Sequence, residues 1–227
     1  MQSLSSIDFL YWTLPALPGL ILLVLSWPLE FYLTKKRFSP WQVGNISRLL
    51  GILIFVLFPF FISNNTKVDL IQLWQDQLSI TWKDVLITLP FMALLLYLQE
   101  KKRNQIKGME AFSAADFNLF HLTLHALVWI SYLFCYEFYF RAYLLFMAFP
   151  ESGVVIIVLF NIILYAFVHL SKNMQQVWLS LPFGVLLCAV CLYTGNFWFA
   201  FVIHICLALG VELPLLSKKQ TIQKSIV

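Results

Sequence analysis

The sequence predicts an all-α membrane protein, a polytopic bundle of about seven transmembrane helices. Two observations lead to this fold class. Of the 227 residues, 61% are hydrophobic and only 11% are charged, whereas a soluble domain carries about 25% charged residues. The apolar residues also fall into separate runs, each long enough to cross about 30 Å of hydrocarbon. These runs leave almost no residues for a soluble domain.

The apolar runs are joined by connections that shorten toward the C-terminus. The fourth run is too long for one straight crossing, since about 30 residues at 1.5 Å each extend about 45 Å, so we expect this helix to tilt or kink. The sequence divides into three peripheral transmembrane helices without a recognised motif at 1–118, a four-helix core at 119–216 and a cytoplasmic tail at 217–227. The runs cover residues 9–33, 46–62, 84–99, 119–149, 153–170, 177–193 and 196–216.

Lysine and arginine predict the orientation, because cytoplasmic loops carry an excess of both. Of the fifteen basic residues, Arg141 is intramembrane, twelve fall on one side of the bundle, and only Lys67 and Lys83 fall on the other. We therefore expect the N-terminus outside and the C-terminus inside. The basic cluster at 101–107 predicts contact with anionic lipid at the cytoplasmic face. Because topology accounts for the net charge of +4, no nucleic-acid partner is expected.

Charged and titratable side chains interrupt three of the last four apolar runs, where they are costly in a bilayer. Glu137 and Arg141 lie four residues apart in one run, His169 lies in the next, and His204 lies in the last. Since residues four apart share a helix face, Glu137 and Arg141 should meet. The structural alternative is an ion pair that locks two helices, with two histidines hydrogen-bonded across the bundle. Their occurrence together on short-looped helices favours one functional polar site.

The residue types at this site suit hydrolysis without a covalent intermediate. A carboxylate can take a proton from water, and a histidine can stabilise a developing oxyanion. Asn161 and Tyr165 extend the face of His169 at helical spacing, which predicts a polar stripe on that helix. The motifs of serine, aspartyl and zinc hydrolases do not occur in the sequence.

Two other patterns allow metal or redox chemistry, and each has a simpler interpretation. His121 and His125 are four residues apart but lack the glutamate of H-E-x-x-H, so interfacial polar residues are favoured over metal ligands. Cys188 and Cys191 form a C-x-x-C on an apolar helix, where a packing role is favoured. All four cysteines lie in apolar runs, so no disulfide framework is expected. The preferred interpretation requires no metal and no cofactor.

The three polar motifs together resemble the CPBP family, the CAAX proteases and bacteriocin-processing proteins also called Abi. The family pattern is Glu-Glu-x-x-x-Arg, then Phe-x-x-x-His, then His-x-x-x-Asn, on successive transmembrane helices. Here the three motifs are Tyr136-Glu-Phe-Tyr-Phe-Arg, Tyr165-Ala-Phe-Val-His and His204-Ile-Cys-Leu-Ala. The resemblance covers about 119–210.

This resemblance implies an integral-membrane endopeptidase, in a bacterial plasma membrane, that hydrolyses a membrane-embedded or lipid-anchored peptide. The usual family mechanism is a Glu-activated water, with His and Asn holding the oxyanion. Our leading hypothesis takes Glu137 as the base and His169 and His204 as ligands of the oxyanion or the water. A metal has also been argued for the family. The supporting positions are Arg141, Tyr136, Asn161, Tyr165 and Ala208.

Two positions depart from the family pattern. Tyr136 replaces the first glutamate, which generally activates the water, and Ala208 replaces the last asparagine. The second glutamate, Glu137, is the one that the family pairs with the arginine. A second hypothesis is therefore a catalytically inactive relative that binds a membrane peptide as an immunity or assembly factor. A third is a small transporter or lipid-handling enzyme with a proton relay, against which the absence of an inverted sequence repeat argues.

Overall fold

The computed structural model describes residues 17–65, 70–78, 80–102, 119–147, 153–171 and 174–209. Every regular element in these ranges is a helix, which confirms the all-α class. The predicted tail at 217–227 and most of the basic cluster at 101–107 lie outside the described residues. The elements are α1 (Leu17–Lys35), α2 (Pro40–Asn65), α3 (Leu70–Asp76), α4 (Trp82–Lys102), α5 (Leu119–Glu137), a π-helix (Phe138–Met147), α6 (Val154–Val168), a 3-10 turn (His169–Ser171), α7 (Met174–Thr194) and α8 (Trp198–Leu209).

Within the described ranges, three helices are long and apolar enough to cross a membrane. They are Leu17–Lys35, Trp41–Phe61 within α2, and Met174–Thr194. The helices α6 and α8 are also apolar but shorter. Large apolar side chains such as Phe31 and Trp178 are exposed on the long helices, as expected for surfaces that face lipid tails. The number of spans and their orientation stay predictions.

Helical structure also extends into two predicted connections. The helix α2 begins at Pro40, ahead of the apolar run, because proline suits the first helical position, where its missing N–H leaves nothing unsatisfied. The side-chain Oε1 of Gln42 accepts hydrogen bonds from the backbone N–H and the hydroxyl of Ser39, both at 3.0 Å. This is one half of a capping box, which stabilises the start of the helix. The short helix α3 occupies the next connection.

The long fourth run changes its helical pitch at Glu137. The α-helix ends at this residue, and a π-helix continues from Phe138 to Met147. A π-helix bonds each N–H to the carbonyl five residues back, and such segments are frequent at functional sites. Every residue from 139 to 145 is buried. The expected irregularity therefore lies in the bundle interior, beside Glu137.

The buried centre of the bundle is aromatic and includes the N-terminal helices. The ring of Phe55, from α2, lies 5.4 Å from that of Tyr136 and 4.9 Å from that of Tyr139. A Cβ atom on Gly51 would stand 2.4 Å from the ring of Tyr132, so only glycine lets α2 approach α5 this closely. Leu22 of α1 belongs to the same buried cluster as Phe55. The division of the chain into peripheral and core helices stays a prediction.

Gln77, just after α3, is hydrogen-bonded to the turn that precedes α8. Its Nε2 donates to the carbonyl of Gly195 at 3.4 Å, and its Oε1 accepts from the N–H of Phe197 at 2.8 Å. The residue is only 2% exposed. Next to it, the ring of Trp74 lies 5.8 Å from that of Trp198. These contacts hold the first turn of α8 in place.

We predict that Gln77→Leu loosens the start of α8, because it leaves the buried N–H of Phe197 without its acceptor. The cost should be about 1–3 kcal/mol, the usual penalty for an unsatisfied buried polar group. Hydrogen exchange measured by mass spectrometry should show faster exchange at 195–201. The control is Gln75→Leu, since Gln75 is exposed; equal exchange in the two variants would contradict the prediction.

Candidate functional site

Glu137 occupies the junction between α5 and the π-helix and is completely buried. Both carboxylate oxygens have partners. Oε2 accepts from Nε of Arg141 at 3.2 Å, and Oε1 lies 2.5 Å from Nδ1 of His204 on α8. The predicted pairing of Glu137 with Arg141 is therefore present. The carboxylate also contacts one of the two predicted histidines, which the sequence pattern left undetermined.

Arg141 is the centre of a polar network that is closed off from solvent. Its NH1 donates to Oδ1 of Asn161 and lies 3.2 Å from Sγ of Cys188. The Nδ2 of Asn161 donates to the carbonyl of Phe140 at 2.5 Å, and the guanidinium stands 4.7 Å from the ring centre of Tyr165. The amide of Asn161 is thus engaged with Arg141 and the π-helix. Cys188 packs as a small neighbour of the arginine.

His169 lies at the C-terminal end of α6, where the chain turns into the 3-10 segment. Its Nδ1 lies 2.9 Å from the carbonyl oxygen of Tyr165. Because a carbonyl can only accept, Nδ1 carries a hydrogen in this contact. Asn161, Tyr165 and His169 lie on one face of the helix, as predicted. At one end of this stripe Asn161 is bonded to Arg141, and at the other end His169 is bonded to the backbone of its own helix.

Tyr136 stands between the two histidines. Its ring centre is 6.4 Å from that of His169 and 5.9 Å from that of His204, with both pairs edge to face. The tyrosine is 2% exposed, and its hydroxyl has no hydrogen-bond partner within the described chain. A buried hydroxyl without a partner costs about 1–3 kcal/mol. Such a group indicates a place where a ligand or water completes the structure.

A cavity of about 150 Å³ connects these residues. His169, His204 and Tyr136 line it, whereas Glu137, Asn161 and Ala208 are not part of its wall. From the C-terminal helices the wall is formed by Tyr132, Leu133, Tyr136, Val168, His169 and His204. From α1 and α2 it is formed by Leu22, Ser26, Glu30, Gly44, Ser47 and Arg48.

Sequence reasoning missed the contribution of α1 and α2 to this wall. One signal was present: Glu30 is an acidic residue within the first apolar run, and Ser26 precedes it by four residues, on the same helix face. A serine and a glutamate near a helix end are common, so this pair alone did not indicate a site. Only the packing of α1 against α2, α6 and the 3-10 turn shows that this face shares a cavity with His169 and His204.

The residues described in the structure do not provide a three-ligand metal site. Nowhere in those ranges do three His, Cys, Asp or Glu side chains cluster in a way that could hold an ion, whereas catalytic zinc sites take three protein ligands. His125 lies 2.9 Å from Oδ1 of Asn45, and the ring of His121 contacts that of Trp41 at 5.2 Å. The two imidazoles at the cavity thus form an incomplete ligand set for the metal that has been argued for the family.

Residues 118–209 match the family model Rce1-like, described as type II CAAX prenyl endopeptidase Rce1-like. This match confirms the resemblance to the CPBP family. It covers α5 to α8, including all three polar motifs, and leaves α1 to α4 outside. No curated protein and no solved structure matches the chain. Together with the long apolar helices, the match places the chain among integral membrane proteins.

We predict that Glu137 and Arg141 are energetically coupled. Glu137→Gln or Arg141→Met alone leaves one buried charge uncompensated and should cost about 3–5 kcal/mol. The double variant removes both charges, so its cost should fall short of the sum by about 1–3 kcal/mol. Unfolding by SDS titration in mixed micelles measures the four free energies. A control cycle pairs Glu137→Gln with Arg48→Met, since these two side chains share no hydrogen bond; additive costs in the first cycle would refute the coupling.

Proposed function

We propose that this chain, whose residues 118–209 belong to the Rce1-like family, is an integral-membrane endopeptidase of a bacterial plasma membrane. Its substrate is a membrane-embedded or lipid-anchored peptide. The observation that supports this proposal is the line from Arg141 through the buried Glu137 carboxylate to His204, which ends on the cavity wall. A carboxylate that orients an imidazole toward a water-sized space is suited to activating water.

In this proposal Glu137 acts through His204. The Nδ1 of His204 donates its hydrogen to Oε1 of Glu137, which leaves the lone pair of Nε2 for the cavity. The Nδ1 of His169 likewise donates to an acceptor, the carbonyl of Tyr165. A water that donates to Nε2 of His204 can direct its oxygen at a peptide carbonyl carbon, and His169 lies on the same cavity wall. The expectation that Glu137 contacts the water itself stays a prediction.

The reaction then follows from these groups. The water oxygen bonds to the carbonyl carbon while Nε2 of His204 takes a water proton, and the imidazolium is stabilised by the negative Glu137. The tetrahedral oxyanion accepts a hydrogen bond from the Tyr136 hydroxyl, the one hydroxyl of the wall that lies between the histidines. The C–N bond breaks as Nε2 returns its proton to the leaving amine. Arg141 stays bonded to the carboxylate and offsets its buried charge.

A second candidate function is a catalytically inactive relative that binds a membrane peptide without cutting it, as an immunity or assembly factor. One observation favours it. Tyr136 stands where the family has its water-activating glutamate, and the remaining Glu137 is not part of the cavity wall. In that case the cavity retains a peptide-binding surface and has lost the base.

We predict that His204→Gln and Glu137→Gln both abolish cleavage. Glutamine can still donate to Glu137 but cannot take the proton, so His204→Gln separates chemistry from packing. The measurement is N- and C-terminal peptide profiling of native membranes from wild type, a deletion strain and each variant. Precursors should accumulate in the deletion strain and in both variants. His121→Gln is the control, since His121 lies outside the cavity wall.

The alternative function makes the opposite prediction for these strains. If the deletion has a phenotype and both folded variants retain wild-type behaviour, the cavity binds without cutting and the endopeptidase proposal fails. Folding of each variant is checked by thermal unfolding in detergent, because Glu137→Gln also removes the counter-ion of Arg141.

We predict that Tyr136→Phe lowers turnover about 10²-fold, the usual effect of losing one oxyanion donor. The same change should leave the free energy of unfolding equal or higher, because the deleted hydroxyl has no partner within the described chain. Turnover of an identified precursor peptide and unfolding by SDS titration give the two values. Tyr139→Phe is the control, since Tyr139 is equally buried but does not line the cavity. Unchanged turnover in Tyr136→Phe would remove this tyrosine from the mechanism.

A further inference from the structure

One face of α1 lines the cavity along two helical turns, with Leu22, Ser26 and Glu30 at successive positions four residues apart. The Glu30 carboxylate makes no ion pair or hydrogen bond with any residue of the described chain. The helix around it is apolar and long enough to span a membrane. A charge retained in such a segment without a protein partner is a functional candidate.

The inner end of this face adjoins the two histidines. A Cβ atom on Gly19 would meet Cγ2 of Val168 at 3.7 Å, and one on Gly51 would meet Cδ1 of Leu22 at 3.7 Å. Val168 directly precedes His169, so the start of the face lies beside the proposed centre. Glu30 lies two turns farther along α1, about 12 Å away at 1.5 Å per residue.

The other end of the face lies near the turn that joins α1 to α2. Gly44, near the start of α2, lines the cavity together with Glu30. The turn itself includes Arg37, whose φ is +63°. The cavity thus extends from the histidines to an acidic end beside the turn. Tyr136, whose buried hydroxyl has no partner within the described chain, also lines this cavity.

We propose that Glu30 is a specificity-determining residue that binds a cationic group of the substrate peptide. This inference rests on the proposed function and adds a subsite supplied by helices outside the family match. An extended peptide advances about 3.3–3.6 Å per residue. The cation therefore lies about three or four residues from the bond that meets His169 and His204. Its source is either a Lys or Arg side chain or a free α-amino group.

The cavity wall carries a second charged residue, Arg48, and its presence agrees with a peptide ligand. Arg48 belongs to α2, and its NH1 lies 3.4 Å from Oδ1 of Asn45, so the guanidinium is directed toward its own helix. Glu30 and Arg48 form no ion pair with each other in the structure. The acid is therefore available to a ligand, and the base reduces the cost of keeping a carboxylate in the membrane.

The test uses full-length protein in lipid nanodiscs and synthetic decapeptides anchored through an alkylated central cysteine. Each peptide carries Lys, Gln or Glu at one scanned position, with a free or an acetylated N-terminus. Binding is measured by fluorescence anisotropy and cleavage by mass spectrometry. We expect Lys to bind about tenfold more tightly than Gln at one position, three or four residues from any cleaved bond. If the α-amino group is the source, acetylation removes the preference.

Variants of Glu30 identify the residue responsible. Glu30→Gln should abolish the preference and Glu30→Lys should shift it to Glu, while the control Asp76→Asn keeps it, since Asp76 is an exposed acid of α3. A preference that survives Glu30→Gln overturns the inference even if cleavage continues. Binding preference without cleavage by wild type supports the inference and counts against the proposed function.

Discussion

The carboxylate of Glu137 is the interaction on which the rest of the site depends. It is fully buried, and its two oxygens connect the π-helix, through Arg141, to α8, through His204. Burying a single unpaired charge in a membrane bundle costs a great deal of free energy, so the buried glutamate needs the arginine as its counter-ion. The arginine in turn requires acceptors, which Asn161 and the sulfur of Cys188 supply. Four helical segments are thereby tied together by one charge pair.

The π-helix explains how this pair coexists with an accessible histidine. It begins directly after Glu137, and its wider backbone changes the direction of the residues that follow. Asn161 accepts a hydrogen bond from Arg141 and donates one to the carbonyl of Phe140, and both partners lie in the π-helix. One neighbouring side chain thus binds both the arginine and a backbone carbonyl of the irregular helix. His204 remains at the edge of the network, with one nitrogen on Glu137 and the other available to the cavity.

Tyr136 gives the site a character different from that of a two-glutamate pattern. A hydroxyl donates a hydrogen bond where a carboxylate would accept one, so the position can stabilise negative charge but cannot take a proton from water. In the proposed mechanism the imidazole of His204, whose Nδ1 lies on Glu137, is the acceptor instead. Compared with the two-glutamate pattern, a hydrogen-bond donor stands at position 136 in place of an acceptor. The proposed endopeptidase mechanism and the inactive alternative are the two functions that this replacement by Tyr136 allows.

Much of this arrangement could be predicted from residue spacing alone. Apolar runs determine that the chain is a helical membrane protein, because hydrocarbon tolerates no unpaired backbone in extended segments. The four-residue interval determines that Glu137 meets Arg141, because both lie on one helix face. The stripe on α6 follows from the same geometry. These are local properties, and each helix carries them before it packs.

Only the tertiary structure decided which faces meet. The pairing of Glu137 with His204 joins residues far apart in sequence, and the π-helix that directs it has no spacing signature of its own. The contribution of Glu30 and Ser26 to the cavity depends on α2 lying close to α5, which the absence of a side chain at Gly51 permits. Residue types and intervals thus determine what each helix can do, whereas contacts between helices determine which of those groups share one cavity.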